Sequence, residues 1–239
     1  MEPILAGARD SYIDLGRFYD TARLEKRRSE LLELTRRYKR SYAAAYDYMA
    51  AAGVLKGNKE PNAAKENIDV AVRNCMELLP AAVPGAGATR HCFIDAFCGK
   101  GQISLLNTFD GWRIYTISVS EDDGSAVLQK LSMQLEENAY GVFCAHSPLN
   151  TDMLRHIIIP SHKIIFTLER VPECACAAAL SYAKDDDKLS RMYGELMCCA
   201  EEMLALAKRE HDALEEVYNP CVDFAGIHGE AQRHINTIL

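Results

Sequence analysis

The chain has 239 residues, of which 49% are hydrophobic and 26% are charged, a composition typical of a folded globular protein. Its net charge of −7 and pI near 5.5 argue against general binding to nucleic acids or anionic membranes, whose phosphates would repel such a surface. No stretch is apolar over the roughly 18 residues that a membrane span requires, and the start Met1-Glu2-Pro3 does not fit a secretory signal. We therefore expect a cytoplasmic protein whose nine cysteines are reduced thiols.

The first third of the chain is predicted to be helical. Over residues 21–55, one helix face carries a regular series of apolar side chains, namely Leu24, Leu31, Tyr38, Tyr42 and Met49. A second helix is predicted over residues 62–79. Pro80 and the sequence Pro-Gly-Ala-Gly at residues 84–87 then break the pattern. We therefore predict a helical amino-terminal region over residues 1–87 and an α/β domain over residues 88–239.

The middle of the chain is predicted to alternate between strands and helices. Strands are expected at residues 91–97, 113–119, 140–145 and 163–168, where β-branched and aromatic side chains are frequent. Gly99-Lys100-Gly101 is expected to form a turn. A helix is predicted at residues 125–137 and a short helical turn at residues 152–156. This order is typical of parallel βαβ units.

The last third is predicted to be one long helix followed by a shorter one. Apolar residues keep a three-four spacing from Leu189 to Val217, interrupted at Glu210, and Asp185, Asp186 and Asp187 suit its start. A helix of this length needs a long partner, so we expect an antiparallel hairpin between residues 21–55 and 187–218. Pro220 ends the long helix, and Asp223 can cap the final one.

Six short segments give a more specific indication. They are residues 13–16 (IDLG), 18–20 (FYD), 90–93 (RHCF), 147–150 (SPLN), 156–160 (HIIIP) and 218–224 (YNPCVDF). With these segments, in this order, the chain resembles a bacterial family of proteins assigned as ATPases that carry two P-loop domains in tandem and have no settled function. The resemblance implies the helical tail of a first domain followed by a whole second domain. The fold class is therefore expected to be α/β, a P-loop NTPase-like parallel sheet with a long antiparallel helical hairpin.

The family's phosphate-binding loop is degenerate in this chain. The family has a loop of the type G-x-x-G-x-G-K-S after the strand that corresponds to residues 113–119. Here the corresponding residues are Ser118, Val119, Ser120, Glu121, Asp122, Asp123, Gly124 and Ser125. Three consecutive acids stand where phosphate would bind, and Gly124 stands at the position of the lysine. Because like charges repel, we expect no phosphate binding here and interpret the acids as an ordinary helix start.

A rebuilt ligand site is the alternative. Gly99, Lys100 and Gly101 place a lysine near a strand end, and the family has a similar Lys-Gly at this point. Lys100 could contact a nucleotide phosphate, with Arg90 and His91 as further ligand contacts. The competing interpretation is a plain turn next to solvent-facing polar residues.

A metal site is not predicted from the sequence. The candidate ligands are Cys174, Cys176, Cys198, Cys199, His146, His156 and His162. Their spacing lacks the paired pattern of structural zinc sites, so they are interpreted as buried thiols and loop histidines. No catalytic triad can be assembled from residues that are close in sequence.

Two functions are compatible with these patterns. The first is a non-catalytic P-loop-like module that binds another protein or a second copy of itself and needs no cofactor. The second is a nucleotide-dependent protein that binds ATP and Mg²⁺ through Lys100 and Arg90. The sequence favours the first, because the phosphate-binding loop is lost.

Overall fold

The computed structural model describes residues 13–56, 63–83, 87–172, 174–179 and 187–238. The chain divides into two compact units, one within residues 1–42 and 206–239 and the other within residues 43–205. Asn62, residues 84–86, Asp185 and Asp186 lie outside the described residues. The predicted starts of the second helix and of the long carboxy-terminal helix, and most of the predicted boundary segment, therefore fall on residues without a description.

The described residues form six α-helices and eight β-strands. The helices are α1 (Thr21–Lys26), α2 (Arg28–Lys56), α3 (Lys65–Glu77), α4 (Glu121–Glu137), α5 (Asp187–Tyr218) and α6 (Phe224–Ile238). The strands are β1 (Thr89–Cys92), β2 (Asp95–Cys98), β3 (Gly101–Ser104), β4 (Arg113–Ser118), β5 (Val142–His146), β6 (Leu154–Ile159), β7 (Ile164–Thr167) and β8 (Ala175–Ala179). None of these helices combines the length and the apolar composition that crossing a membrane requires.

The unit within residues 43–205 contains a six-stranded sheet in the order β1-β5-β6-β7-β4-β8. Strand β6 is antiparallel to both of its neighbours, and the other neighbouring pairs are parallel. Helix α4 connects β4 to β5, which lies three strands away in the sheet. The expected α/β class with a mostly parallel sheet is confirmed.

Helices α3 and α4 cover one face of this sheet. Leu128, Leu131 and Leu135 of α4 are completely buried and belong to the same core cluster as Ile157 and Phe166 of the sheet. Their spacing of three and four residues places them on one side of the helix. This apolar stripe fixes the rotation of α4 and therefore the direction of the side chains in its first turn.

The other face of the sheet is partly covered by the segment that contains the antiparallel ribbon of β2 and β3. Ile158 of β6 and Ile165 of β7 pack with Ile94, which immediately precedes β2. Side chains alternate across a strand, so His156 and Thr167, two residues from these isoleucines, lie on the same face. The ribbon therefore covers two polar side chains as well as apolar ones.

The unit within residues 1–42 and 206–239 contains the antiparallel pairing of the first part of α2 with the last part of α5. Leu31 of α2 packs with Leu214 and Val217 of α5. Further along α2, the Ser41 hydroxyl donates a hydrogen bond of 2.6 Å to Glu210, which lies earlier in α5. The two helices run in opposite directions, as predicted. Glu210, which interrupts the apolar pattern of α5, accepts the hydrogen bond from Ser41 of α2.

The segments that flank the two long helices also meet within this unit. Tyr19 and Val222 form an antiparallel bridge, and the Asp223 amide donates to the Phe18 carbonyl oxygen at 2.8 Å. The Asp223 carboxylate accepts from the Gly226 amide at 2.9 Å, which confirms the predicted cap of α6. Two of the segments that carry the family resemblance, 18–20 and 218–224, are thus neighbours in space.

Three predicted elements need correction. Residues 152–156 do not form a helical turn, because β6 begins at Leu154 and its isoleucine run pairs on both sides. The strand predicted over residues 91–97 is two strands, since β1 pairs with β5 and β2 pairs with β3. Helix α4 begins at Glu121, four residues earlier than predicted, because Ser120 caps it.

Candidate functional site

The carboxyl ends of the parallel strands are the usual place for a ligand in an α/β sheet, and α4 begins there, directly after β4. Ser118 ends β4, and the Ser120 hydroxyl accepts a hydrogen bond of 3.2 Å from the Asp123 amide as the N-cap of α4. Glu121 and Asp122 lie with Asp123 in the first helical turn. The residues at the degenerate phosphate loop therefore form a capped helix start.

Asp123 occupies the amino-terminal end of α4 with its own carboxylate. The side chain is 1% exposed. Its Oδ1 atom accepts from the Ala63 amide at 2.8 Å, and its Oδ2 atom accepts from the Ser120 hydroxyl at 2.7 Å. A helix amino terminus attracts anions through its free amides and its dipole. In this chain the anion at that end is a buried side chain of the protein.

Gly124 and Ser125 complete the packed first turn. A Cβ atom at Gly124 would lie 2.5 Å from Leu168 Cδ2 and 2.8 Å from Val119 Cγ2, so a lysine side chain at this position has no room without repacking. The Ser125 hydroxyl accepts from the Leu154 amide at 3.0 Å, which joins α4 to β6. Both residues serve the packing of the helix against the sheet.

Lys100 lies in the turn between β2 and β3 and is exposed. A Cβ atom at Gly99 would lie 2.6 Å from Ala205 Cα, so glycine allows this turn to approach α5 closely. Gly101 has φ +95°, which favours glycine. Asp95, at the other end of β2, is joined to the start of α4 through Arg155. At about 3.3 Å per residue, the end of β2 at Cys98 lies roughly 10 Å from Asp95, and Lys100 follows in the turn beyond it.

Arg90 and His91 are adjacent on β1, but their side chains contact different residues. The Arg90 guanidinium lies over the Phe143 ring, with 5.7 Å between Cζ and the ring centroid. His91 Nδ1 lies 2.8 Å from His146 Nε2, at the carboxyl ends of β1 and β5. No contact among the described residues joins Arg90 or His91 to Lys100.

A buried polar cluster that sequence reasoning missed lies beneath the β2–β3 ribbon. His156 is completely buried, its Nδ1 lies 2.8 Å from Thr167 Oγ1, and its Nε2 lies 2.8 Å from Asp95 Oδ2. Asp95 is 3% exposed and Thr167 is completely buried. The imidazole therefore links a hydroxyl on one side to a carboxylate on the other.

Charged side chains extend this cluster to the start of α4. Arg155 Nε lies 3.0 Å from Asp95 Oδ2, and Arg155 Nη1 donates to Glu121 Oε1 at 2.9 Å. On the other side, the Glu169 amide donates to Thr167 Oγ1 at 2.9 Å. One donor atom from each of Asp95, His156 and Glu169 lies within 4.8 Å of the others, a grouping capable of holding a metal ion.

The pKa of Asp95 reflects these neighbours. Burial alone would raise it, but the interactions with His156, the Arg155 guanidinium and the hydrogen bond with Ser104 have the larger combined effect. The pKa of Asp95 is consequently below its ordinary value, and the side chain is a carboxylate near neutral pH. The cluster therefore contains a buried negative charge.

The arrangement of Thr167, His156 and Asp95 is that of a hydroxyl, an imidazole and a carboxylate in series, as in hydrolases. Thr167 is completely buried, however, and its oxygen accepts the Glu169 amide. A nucleophile must reach its substrate, so the chain of hydrogen bonds does not make Thr167 one. The chemistry open to this cluster is the binding of a cation or a structural polar contact.

Sequence reasoning could not assemble this cluster because Asp95 and His156 are 61 residues apart. The available signal was polar residues inside apolar strands, such as His156 directly before Ile157. Of the other histidines considered as ligands, His162 contacts the Ala81 carbonyl oxygen at 2.9 Å. None of the cysteines belongs to a group of three metal-capable side chains among the described residues.

No protein-family model matches this sequence, and neither the curated proteins nor the solved structures contain a significant match.

Proposed function

We propose that this chain is a P-loop-like α/β protein that has lost phosphate binding and acts by binding another protein chain. The carrying observation is the amino-terminal end of α4, where the buried Asp123 carboxylate accepts the Ala63 amide and the Ser120 hydroxyl. A phosphate at this end would have to displace a negatively charged side chain with two hydrogen bonds. That exchange is unfavourable because both groups are anions.

The residues of the alternative nucleotide site support the same proposal. Lys100 and Arg90 lie in different surroundings. Lys100 is in a turn close to α5, and the Arg90 guanidinium lies over the Phe143 ring. A nucleotide phosphate needs several donors that converge on one point. The structural role of Gly99 explains the Gly-Lys-Gly sequence without a ligand.

Exposed apolar side chains on the β2–β3 ribbon favour a protein partner. Ile103 of β3 is 42% exposed, Leu105 directly after β3 is 47% exposed, and Phe93, two residues before β2, is 54% exposed. Clustered exposed apolar residues mark protein contacts more often than isolated ones do. The partner is proposed to be another protein or a second copy of this chain.

The first test is calorimetric titration of the purified protein with ATP, ADP and GTP in the presence of Mg²⁺. We expect no saturable heat and no thermal stabilisation at millimolar nucleotide. Saturable binding that is lost in Lys100→Ala or Arg90→Ala would refute the proposal and establish the alternative. The matched control is Lys130→Ala, which removes a lysine paired with Asp69 on the opposite side of the sheet.

The second test concerns the partner. Wild-type protein and the Ile103→Asp variant are compared by sedimentation velocity over a hundredfold range of concentration, and by cross-linking in cells that produce each form. We expect the wild type to form a complex that Ile103→Asp weakens. Equal behaviour of the two forms in both experiments would contradict an interaction through the ribbon.

A further inference from the structure

Two buried carboxylate oxygens in the cluster beneath the ribbon, Asp95 Oδ1 and Glu169 Oε2, have almost no accessible surface and no hydrogen bond of good geometry among the described residues. The Ser104 hydroxyl also interacts with the Asp95 carboxyl group. A buried oxygen with a negative charge and no donor is costly, so such atoms occur mainly where a cation or a proton satisfies them. Both belong to the group whose donor atoms lie within 4.8 Å of one another.

The third member of the group, His156, has the arrangement of a metal ligand in one of its two tautomers. When the Thr167 hydroxyl donates to Nδ1, a proton on Nε2 faces Asp95. When Nδ1 carries the proton and donates to Thr167, the bare Nε2 atom faces a carboxylate, and only a cation between them makes this tautomer favourable. Histidines that bind metals commonly donate their second nitrogen to a neighbouring oxygen in this way.

The charges around the group leave room for a cation. The Arg155 guanidinium pairs with Asp95 and is shared with Glu121. The carboxylates of Asp95 and Glu169 lie close together in the group. Like charges repel and a divalent cation attracts both, so a cation between these two carboxylates would stabilise the arrangement.

We propose that Asp95, His156 and Glu169 form a binding site for a divalent transition-metal cation of the Zn²⁺ class. One imidazole nitrogen and two carboxylate oxygens are donors that Zn²⁺, Co²⁺ and Mn²⁺ accept. This inference goes beyond the proposed function, because neither nucleotide binding nor protein binding requires it.

The geometry is compatible with small adjustments. Donors about 2.0–2.2 Å from a tetrahedral metal lie roughly 3.3–3.5 Å from each other. His156 Nε2 and Asp95 Oδ2 are 2.8 Å apart, so they would have to separate by several tenths of an ångström to admit the metal. Glu169 lies in the bend after β7 and is only partly buried, so its side chain can close the remaining distance. Three protein donors are also the number found in sites that keep an open coordination position.

The test uses Co²⁺ as a spectroscopic probe on protein freed of metal by dialysis against EDTA. We expect visible absorption that saturates at one equivalent, without the near-ultraviolet band of cobalt bound to thiolate. Glu169→Gln keeps the shape of the side chain and should weaken Co²⁺ binding at least about tenfold, because even changes outside the ligand shell cost roughly 10–100-fold. The matched control is Glu215→Gln, which changes the exposed member of the group of His211, Asp212 and Glu215 and should bind like the wild type.

Thermal unfolding separates a ligand from a merely structural residue. Without metal, Glu169→Gln should melt above the wild type, because it removes one of two carboxylates that lie close together. Addition of Zn²⁺ should raise the melting temperature of the wild type more than that of Glu169→Gln. Unsaturable Co²⁺ binding, a thiolate band, equal affinity in Glu169→Gln, or a metal-free variant that melts below the wild type would each overturn the proposal.

Discussion

Replacement of Asp123 tests whether the start of α4 is structural. Asp123→Ala removes the acceptor of the Ala63 amide and the partner of the Ser120 hydroxyl. A hydrogen bond to a charged group contributes about 1.5–3 kcal/mol, and an acid at a helix amino terminus contributes about 0.3–1 kcal/mol. We therefore expect the free energy of unfolding to fall by roughly 2–4 kcal/mol.

The assay is urea unfolding at pH 7, followed by circular dichroism of the helices. Asp123→Asn is the matched variant, because its amide oxygen still accepts from Ala63 while the charge is lost, and it should lose about 1 kcal/mol. A change below about 0.5 kcal/mol in Asp123→Ala would refute the assignment of a structural role. Neither variant should gain nucleotide binding, because the loop glycines and the lysine remain absent.

Two further substitutions and one labelling experiment test other contacts. Gly99→Ala should lower the free energy of unfolding by about 1–3 kcal/mol, because its Cβ atom would lie 2.6 Å from the α5 backbone, and an unchanged urea midpoint would contradict that contact. Glu210→Ala should cost about 1–3 kcal/mol in the same assay, since the Ser41 hydroxyl loses its acceptor, whereas Glu210→Gln should cost less. Burial raises the pKa of Cys75 to about 12, so maleimide at pH 8 should label the exposed Cys198 and spare Cys75, as read by peptide mapping; equal labelling would refute the burial of Cys75. Because the pKa of this thiol is about 12 in the folded protein and 9.0 in the unfolded chain, its contribution to the free energy of unfolding is complete below pH 9 and is lost as the pH rises toward 12.

The long helices were predictable because their patterns are local and repeated. Leu31 and Val217 belong to the apolar stripes predicted from the sequence, and they meet in the structure together with Leu214. The capping role of Asp223 was also readable, since an acid after a proline-terminated helix is a common helix start. Such features depend on residues within one or two helical turns.

Other elements depended on neighbours that are distant in sequence. Strand β8 has the sequence ACAAA, which has low β propensity, and its pairing with β4 decides its conformation. The site was hidden for the same reason, since Asp95 reaches His156 only when the ribbon covers the sheet and Glu169 reaches it only when β7 pairs with β6. No pattern at fixed spacing reports that contact.

The bridge between Tyr19 and Val222 affects how the chain folds during synthesis. The ribosome adds about 5–20 residues per second, so about 200 residues, or roughly 10–40 s, separate the emergence of these two partners. The unit within residues 43–205 is complete before the second partner appears. Leu31 of the amino-terminal helix is then still uncovered, because its partners Leu214 and Val217 come later in the chain, and it stays uncovered in a chain that stops before residue 206.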